Sequence, residues 1–323
     1  MNRRAFIALL GGAAAAWPLA AGAQQGCVRR IGWLMGAKDH PYQIAAIAAF
    51  RKGLADLGWV EGRNVAIELR YPAGLAQQAQ KLVALGPDVL VCSCGVAVGP
   101  LLALTRTIPI VFTHVNEPVA RGFVASLAKP GGNATGFTHL EYEMSGKWPA
   151  LLKQIAPAVT QVAVMGNFAG PDGANQLKNV EAAAPALGVT IRTLQVANAG
   201  EIERGMAEIA RVPNMGLIVT ENVVTFNDYR LIVALAAHYR LPAIYNQRYF
   251  VAEGGLISYA PDDSMSWRGA AGYVDRIFKG AKPGDLPVQQ PTKFELLINL
   301  KTAKAIGLDI SPQLLSVADE LVE

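Results

Sequence analysis

Short apolar runs alternate with amphipathic stretches along most of the chain, and loops rich in glycine or proline separate them. The apolar run 31–35 predicts a buried strand, and the spacing of the apolar residues after it predicts a helix that ends at Gly58. The buried face of that helix carries Ile47, Phe50, Leu54 and Leu57. The repeating pattern of the chain is therefore one β unit followed by one α unit.

Further strand candidates continue this alternation at 65–71, 89–92, 108–112, 135–138, 162–165, 190–194, 217–219, 243–245, 256–259 and 294–299. Alternating β and α units build a parallel sheet that is covered by helices on both faces. Eleven or so strands are many for one open sheet, so we expect an α/β protein with two lobes and a seam near 138–148. The strand at 294–299 follows both lobes, which indicates that the chain crosses between them more than once.

The N-terminal segment 1–23 has the pattern of an export signal. It begins with the positive charges of Arg3 and Arg4, continues through an apolar stretch, and ends on the small residues 21–23. The paired arginines resemble the twin-arginine export motif, and the general secretory route is the alternative. An uncleaved membrane anchor is disfavoured because the apolar run falls short of the roughly 20 residues that span a bilayer. We expect a soluble, exported protein.

The composition is that of a globular chain, with 52% hydrophobic and 17% charged residues among 323. Removing 1–23 takes away Arg3 and Arg4 but no acidic residue, which lowers the formal net charge from +4 to +2. A protein that binds nucleic acid or an anionic membrane needs a concentrated basic face, which this even distribution of charge does not provide.

Motifs for catalysis, nucleotide binding or metal binding are missing from the sequence. It contains no G-x-S-x-G elbow and no G-x-x-x-x-G-K-[ST] loop. The histidines lack the spacing of a zinc site; they are His40, His114, His139 and His238. We interpret the three cysteines, Cys27, Cys92 and Cys94, as unpaired thiols, with redox or metal chemistry as the alternative for the last two. We therefore expect no cofactor and no metal.

Polar and aromatic side chains follow the predicted strands, at the edge where open α/β sheets bind ligands. The candidate ligand-binding residues are Tyr42, Ser93, Cys94, Gly95, Asn116 and Glu117 in the first lobe and Asn167, Phe168, Glu221, Tyr245 and Arg248 in the second. For each residue taken alone, a capping or loop role is the alternative. Ser93 precedes a predicted helix, so its hydroxyl and the first N–H groups of that helix predict an anchor for a carboxylate.

Several long stretches resemble the substrate-binding proteins of bacterial ABC importers, in the branch related to tryptophan and tyrosine binders. The stretches are RRIGWLMG, AFRKGLADLGWVEGRNVAIELRY, IPIVFTHVNEPVARGFVASLAKPGGNATGF, LPAIYNQRYFVAEGGLISYAPD and LPVQQPTKFELLINLKTAKAIGLDI. The resemblance implies a type I periplasmic-binding fold, in which crossover strands join two Rossmann-like lobes. It assigns 28–138 with 260–286 to the first lobe and 139–259 with 287–323 to the second.

The function that these features favour is that of a monomeric periplasmic receptor. Such a receptor closes on a small solute, aromatic or carboxylate-bearing, and delivers it to the permease and ATPase subunits of an ABC importer. One alternative is a ligand-sensing domain that serves a membrane signalling partner. Another is an exported enzyme with Glu117 or Glu221 as its general base.

Overall fold

The computed structural model describes residues 28–36, 39–71, 74–139 and 142–323. The expected export signal and Cys27 lie outside these described residues.

The first sheet contains five parallel strands in the order β2-β1-β3-β4-β5. They are β1 (Arg29–Leu34), β2 (Val65–Arg70), β3 (Val89–Cys92), β4 (Ile110–Val115) and β5 (Ala134–Thr138). The helices between them are α1 (Pro41–Asp56), α2 (Leu75–Ala84) and α3 (Gly95–Leu104). Helix α1 begins where the His40 side chain accepts a hydrogen bond from the backbone of Tyr42, with Pro41 in the first turn.

The second sheet contains seven strands in the order β12-β11-β10-β9-β8-β6-β7. They are β6 (Gln161–Gly166), β7 (Thr190–Gln195), β8 (Met215–Val219), β9 (Ala243–Tyr245), β10 (Ile257–Pro261), β11 (Phe294–Asn299) and β12 (Glu320–Val322). The remaining helices of the described chain are α4 (Trp148–Ile155), α5 (Pro171–Ala183), α6 (Ala199–Ile209), α7 (Val223–Asn227), α8 (Tyr229–His238), α9 (Arg248–Ala252), α10 (Asp263–Phe278), α11 (Leu300–Ala305) and α12 (Pro312–Ser316), with 3₁₀ turns at Tyr142–Lys147, Pro185–Leu187 and Pro283–Asp285.

The chain passes between the two sheets three times. It first leaves β5 for the 3₁₀ turn at Tyr142–Lys147. After β10, helix α10 returns to pack on α1, where Gly53 allows the two backbones to approach closely. Gln289 then forms an isolated β-bridge with Phe137 of β5, and the chain afterwards enters β11. The predicted fold class, two α/β lobes with repeated crossings, is confirmed.

Local differences from the predicted strands have physical reasons. Strand β11 runs antiparallel to β10, because the chain enters it from the first lobe and not from a covering helix. Strand β4 begins two residues later than expected and extends to Val115, beyond an irregularity in its pairing with β5. The pattern did not predict β12, a three-residue strand whose pairing with β11 no local signal marks.

The aromatic core of the first lobe forms under β1. Trp33 packs against Phe50 of α1 at a ring distance of 4.8 Å and against Trp267 of α10 at 5.5 Å. These contacts fix α1 and α10 beside the carboxyl end of β1.

None of the helices in the described part of the chain combines the length and the apolar character needed to cross a membrane.

Candidate functional site

A cavity of about 280 Å³ lies between the two lobes. The first lobe lines it with Tyr42, Gln43, Ser93, Cys94, Gly95, His114, Asn116 and Arg121, and the second with Asp172, Glu221, Asn222, Val223, Phe226 and Asn227. Most of these residues follow the carboxyl ends of β3, β4 and β8 or begin the next helix. The cavity therefore occupies the position where open α/β sheets bind ligands.

The turn between β3 and α3 forms one wall of the cavity. The Ser93 hydroxyl is buried and donates to Gln43 Oε1 at 3.2 Å, so its single proton already has an acceptor. Burial raises the pKa of the Cys94 thiol to about 11, although the N–H groups of Ala97 and Val96 oppose this. The thiol is therefore neutral at pH 7. What the turn offers an anion is the N-terminus of α3, which begins at Gly95.

His114 projects from the irregular end of β4. Its φ of +58° is unusual for a residue other than glycine, and the pairing of β4 with β5 shifts register between Phe112 and Val115. The imidazole Nδ1 lies 2.8 Å from the Tyr42 hydroxyl, and Nε2 lies 2.5 Å from Glu221 Oε1 in the other lobe. The strained backbone thus supports a contact that joins the two lobes.

His139 lies behind His114 and completes a charged cluster. The two imidazole rings stack at 3.7 Å, and His139 Nδ1 lies 3.1 Å from Asp263 Oδ1 at the start of α10. Burial opposes protonation of His139, but Glu221 and Asp263 outweigh it and raise the pKa of His139. Burial would raise the pKa of Glu221, but His114 and His139 instead lower it to about 2. Glu221 is therefore ionised in the cleft.

A second pair joins the lobes at the edge of the cavity. The Arg121 guanidinium contacts the Asp172 carboxylate of α5, and the Tyr142 hydroxyl donates to the same carboxylate. Arg121 also lies near Gly95, since a Cβ added to that glycine would be 3.4 Å from Arg121 Nη1. A positive charge and a helix N-terminus therefore face the same part of the cavity.

Aromatic rings form the apolar side of the cleft. Tyr42 and Phe226 line the cavity from opposite lobes, with ring centroids 6.1 Å apart. His40 stacks on Phe226 at 3.7 Å and contacts the buried Tyr249 edge-on. Burial lowers the pKa of His40 to about 4, so its ring is neutral at pH 7 and packs with the aromatic residues.

Six of the eleven candidates from the sequence line the cavity: Tyr42, Ser93, Cys94, Gly95, Asn116 and Glu221. Five lie elsewhere. Glu117 borders a neighbouring cavity of about 450 Å³. Asn167 accepts from Gln195 and from the backbone of Ala169, and Phe168 packs on the core of the second lobe. Tyr245 is buried against Phe250, and Arg248 pairs with Glu295 and Glu320 at the outer edge.

Other site residues were not among the candidates from the sequence. His114 and His139 are distant from Glu221 along the chain, yet the ligand atoms of the three side chains lie within 4.8 Å of one another, a spacing that a metal ion can bridge. Gln43, Arg121 and Asp172 come from helices or loops and not from strand ends. Only Asp172 carries a local signal, as an acidic residue in the first turn of α5.

One family model matches most of the chain. Residues 37–322 match the family described as ABC transporter substrate binding protein. The tyrosine-binding protein of Clostridioides difficile (strain R20291) is 23% identical over 274 residues, which cover 84% of this chain and 79% of that protein.

Solved structures share the fold. A conserved domain protein from Vibrio cholerae O1 is 25% identical with a TM-score of 0.82, and the match covers 91% of this chain and 99% of that one. A structure from Streptococcus pneumonia, described as an ABC domain in complex with L-Trp, has the same TM-score and coverage at 24% identity.

Proposed function

The chain belongs to the ABC transporter substrate binding protein family, and we propose that it is the periplasmic solute receptor of an ABC importer. The observation that carries the proposal is the cavity between the lobes, which side chains from both sheets line. A solute held there brings the lobes together and excludes water. The closed receptor then delivers the solute to the permease and ATPase subunits.

We propose that the solute is an aromatic amino acid. Arg121 and the N-terminus of α3 suit a carboxylate, and the ionised Glu221 suits an ammonium group. The rings of Tyr42 and Phe226 suit an aromatic side chain. The names of two similar proteins, one a tyrosine-binding protein and one in complex with L-Trp, support this solute class.

The cleft is better suited to binding than to catalysis. Glu221 was the candidate general base of the enzyme alternative, but a carboxyl with a pKa of about 2 is a weak base at pH 7. Its contact with His114 also holds the lobes together. We therefore propose that the solute leaves the protein unchanged.

Export and lobe division belong to the same proposal. Residues 1–23 direct the chain to the periplasm, by the twin-arginine route if Arg3 and Arg4 are its signal. Intact mass spectrometry of periplasmic protein should give a chain that starts at Gln24.

The proposed lobes move as two units. Residues 28–138 with 260–286 form one, and 139–259 with 287–323 form the other.

A ligand panel tests the solute. Thermal unfolding and titration calorimetry would compare L-tryptophan, L-tyrosine and L-phenylalanine with tryptamine, which lacks the carboxylate, and indole-3-propionate, which lacks the amine. An amino acid at a hundredfold above its Kd should stabilise the protein by about 2.7 kcal/mol. Both truncated analogues should bind at least tenfold more weakly, because each lacks the charged group that one of the two subsites would bind.

Two results would contradict the proposal. One is a panel in which no aromatic amino acid binds, and the other is turnover of the bound solute by the purified protein. Uptake of the best solute by cells that lack the gene tests the transport role separately, since a receptor of an importer is required for that uptake.

A further inference from the structure

The cluster of His114, His139 and Glu221 has features that amino-acid binding does not require. His114 lies near the end of β4, whereas His139 follows β5 and Glu221 follows β8, so the cluster draws on both lobes. Their ligand atoms lie within 4.8 Å of one another. Two imidazole nitrogens and a carboxylate are the donor set of many divalent transition-metal sites.

Neighbouring groups orient both imidazoles toward Glu221. The Tyr42 hydroxyl contacts His114 Nδ1 at 2.8 Å, and the Asp263 carboxylate contacts His139 Nδ1 at 3.1 Å. Both Nε2 atoms therefore face the Glu221 carboxylate. Metal-binding histidines show this arrangement, in which the second ring nitrogen is held by a carboxylate or another polar group.

The space between His139 and Glu221 suits a cation. The Gln247 side-chain amide contacts His139 Nε2 at 3.0 Å. Glu221 Oε2, 3.4 Å from the same nitrogen, is buried and accepts no hydrogen bond from the described residues. A cation in this space would therefore contact a buried carboxylate oxygen that the described residues leave without a hydrogen bond.

We propose that His114, His139 and Glu221 bind one divalent transition-metal ion of the Zn²⁺, Co²⁺ or Ni²⁺ class. Bonds of about 2.0–2.2 Å to nitrogen and oxygen separate tetrahedral ligands by about 3.3 Å. The distance from His139 Nε2 to Glu221 Oε2 already fits this value. The contact between His114 Nε2 and Glu221 Oε1, 2.5 Å long, would widen as the ion replaces the shared proton and displaces the Gln247 amide.

The ion would reach the site from the cavity, since His114 and Glu221 line it while His139 is buried behind them. The same two residues come from opposite lobes, so the bound ion would hold the cleft closed. This site goes beyond the proposed receptor function: it shares Glu221 with the proposed ammonium subsite, so the ion and the amino group would compete for that carboxylate, whereas the carboxylate subsite at Gly95 and Arg121 contains none of its three ligands.

Titration calorimetry with ZnCl₂ tests the site on the full chain, purified without a histidine tag and dialysed against chelator. We expect one Zn²⁺ per chain, with affinity about a hundredfold lower in His114→Gln and in His139→Gln. Asp263→Asn, which alters only the partner of His139, should weaken binding by about tenfold. His238→Gln changes an exposed histidine on another surface and should bind as the wild type does.

The visible spectrum of Co²⁺ bound to the wild type provides a second measurement that depends on no variant. Intense absorption typical of four-coordinate Co²⁺ supports the site, and the weak spectrum of the hydrated ion contradicts it. Equal Zn²⁺ affinity in wild type and His114→Gln would show adventitious binding and overturn the proposal. Titration calorimetry of the amino acids in the presence of chelator measures the receptor function without the metal. Failure of the metal site is therefore distinguishable from failure of the receptor function.

Discussion

Gly95 is the residue at which the cleft exposes the backbone of α3. It lines the cavity, and a Cβ placed on it would lie 3.4 Å from Arg121 Nη1. The first N–H groups of a helix are free to bind an anion only where the approach to them is open. The absence of a side chain at position 95 therefore bears directly on the proposed carboxylate subsite.

We expect Gly95→Ala to weaken binding of the best amino acid by about tenfold, because the methyl group partly covers that subsite. Gly99→Ala, in the same helix as Gly95, is the matched control. The nearest atom to its Cβ would be a ring carbon of Phe123 at 3.8 Å. Titration calorimetry of both variants measures the effect. Equal affinities would place the carboxylate elsewhere in the cleft.

Asp275 is a buried carboxylate outside the cleft whose charge stabilises the first lobe. It accepts from Trp59 Nε1 at 2.9 Å and pairs with Lys279 at 2.8 Å. Burial opposes its ionisation, but Lys279 and Trp59 outweigh that effect and hold the pKa of Asp275 below its usual value. Its contribution to stability is therefore present above the ordinary carboxyl pKa of about 3.9 and is lost as the pH falls through the lower folded value.

Asp275→Ala should lower the free energy of unfolding by about 2 kcal/mol at pH 7, because it leaves the Trp59 indole without an acceptor. Asp275→Asn keeps an acceptor oxygen but removes the charge. The loss in free energy of unfolding for Asp275→Asn, relative to the wild type, should therefore be smaller than that for Asp275→Ala. This loss should decrease as the pH is lowered from 7 to 3. Urea unfolding at the two pH values measures this, and a deficit that does not change with pH would show that the charge contributes nothing.

At the scale of elements, the contact between α1 and α10 ties a distant part of the chain to the first lobe. A Cβ on Gly53 of α1 would lie 2.9 Å from Ala271 Cβ and 3.3 Å from Arg268 Cα. The two helices therefore pack so closely that no side chain larger than hydrogen fits at that position without a shift. This contact keeps Trp267 against Trp33 under β1.

Gly53→Ala should destabilise the protein by roughly 1–3 kcal/mol, because overpacking pushes α10 away from α1. Gly272→Ala in α10 is the matched control. Its Cβ would meet nothing within 4 Å, so the better helix former should stabilise by about 0.5–1 kcal/mol. Urea unfolding gives both values, and destabilisation by both substitutions would show that helix packing is not the cause.

At the scale of the whole molecule, charged pairs join the two lobes in addition to the aromatic contacts of His40 with Phe226 and Tyr249. Arg121 of the first lobe and Asp172 of the second are partly buried, and Tyr142 holds the Asp172 carboxylate from its own side. A contact that exists only when the lobes are together favours the closed state by its own free energy. It thereby slows release of the solute.

Asp172→Asn should weaken solute affinity by about fivefold, mainly through faster dissociation, because it removes the charge but keeps an acceptor for Tyr142. The loss should be smaller at high salt. Asp56→Asn, which breaks the exposed pair with Lys52 on α1, should leave affinity unchanged. Stopped-flow dissociation measures both variants, and equal rates in Asp172→Asn and the wild type would contradict a role for this pair in closure.

The sequence by itself determined the order of the elements and the two-lobed α/β class. Periodicity is a local property, so runs such as 89–92 and 243–245 predicted strands with the bounds that the structure has. The sequence also indicated Ser93, Gly95, Asn116 and Glu221, which line the cavity, because each follows a strand at the edge where parallel sheets bind ligands. The same rule placed Asn167, Phe168, Tyr245 and Arg248 there, but local packing and ion pairs direct their side chains elsewhere.

Only the tertiary structure decided which residues meet across the cleft. His114 and Glu221 are 107 positions apart, and His139 and Asp263 are 124 apart, so no spacing rule connects them. The antiparallel β11 and the return of α10 to α1 likewise depend on where the chain crosses between lobes. Local sequence fixes helix and strand periods, whereas contacts between lobes depend on the packing of both sheets together. That packing brought His114 and His139 into one cluster with Glu221.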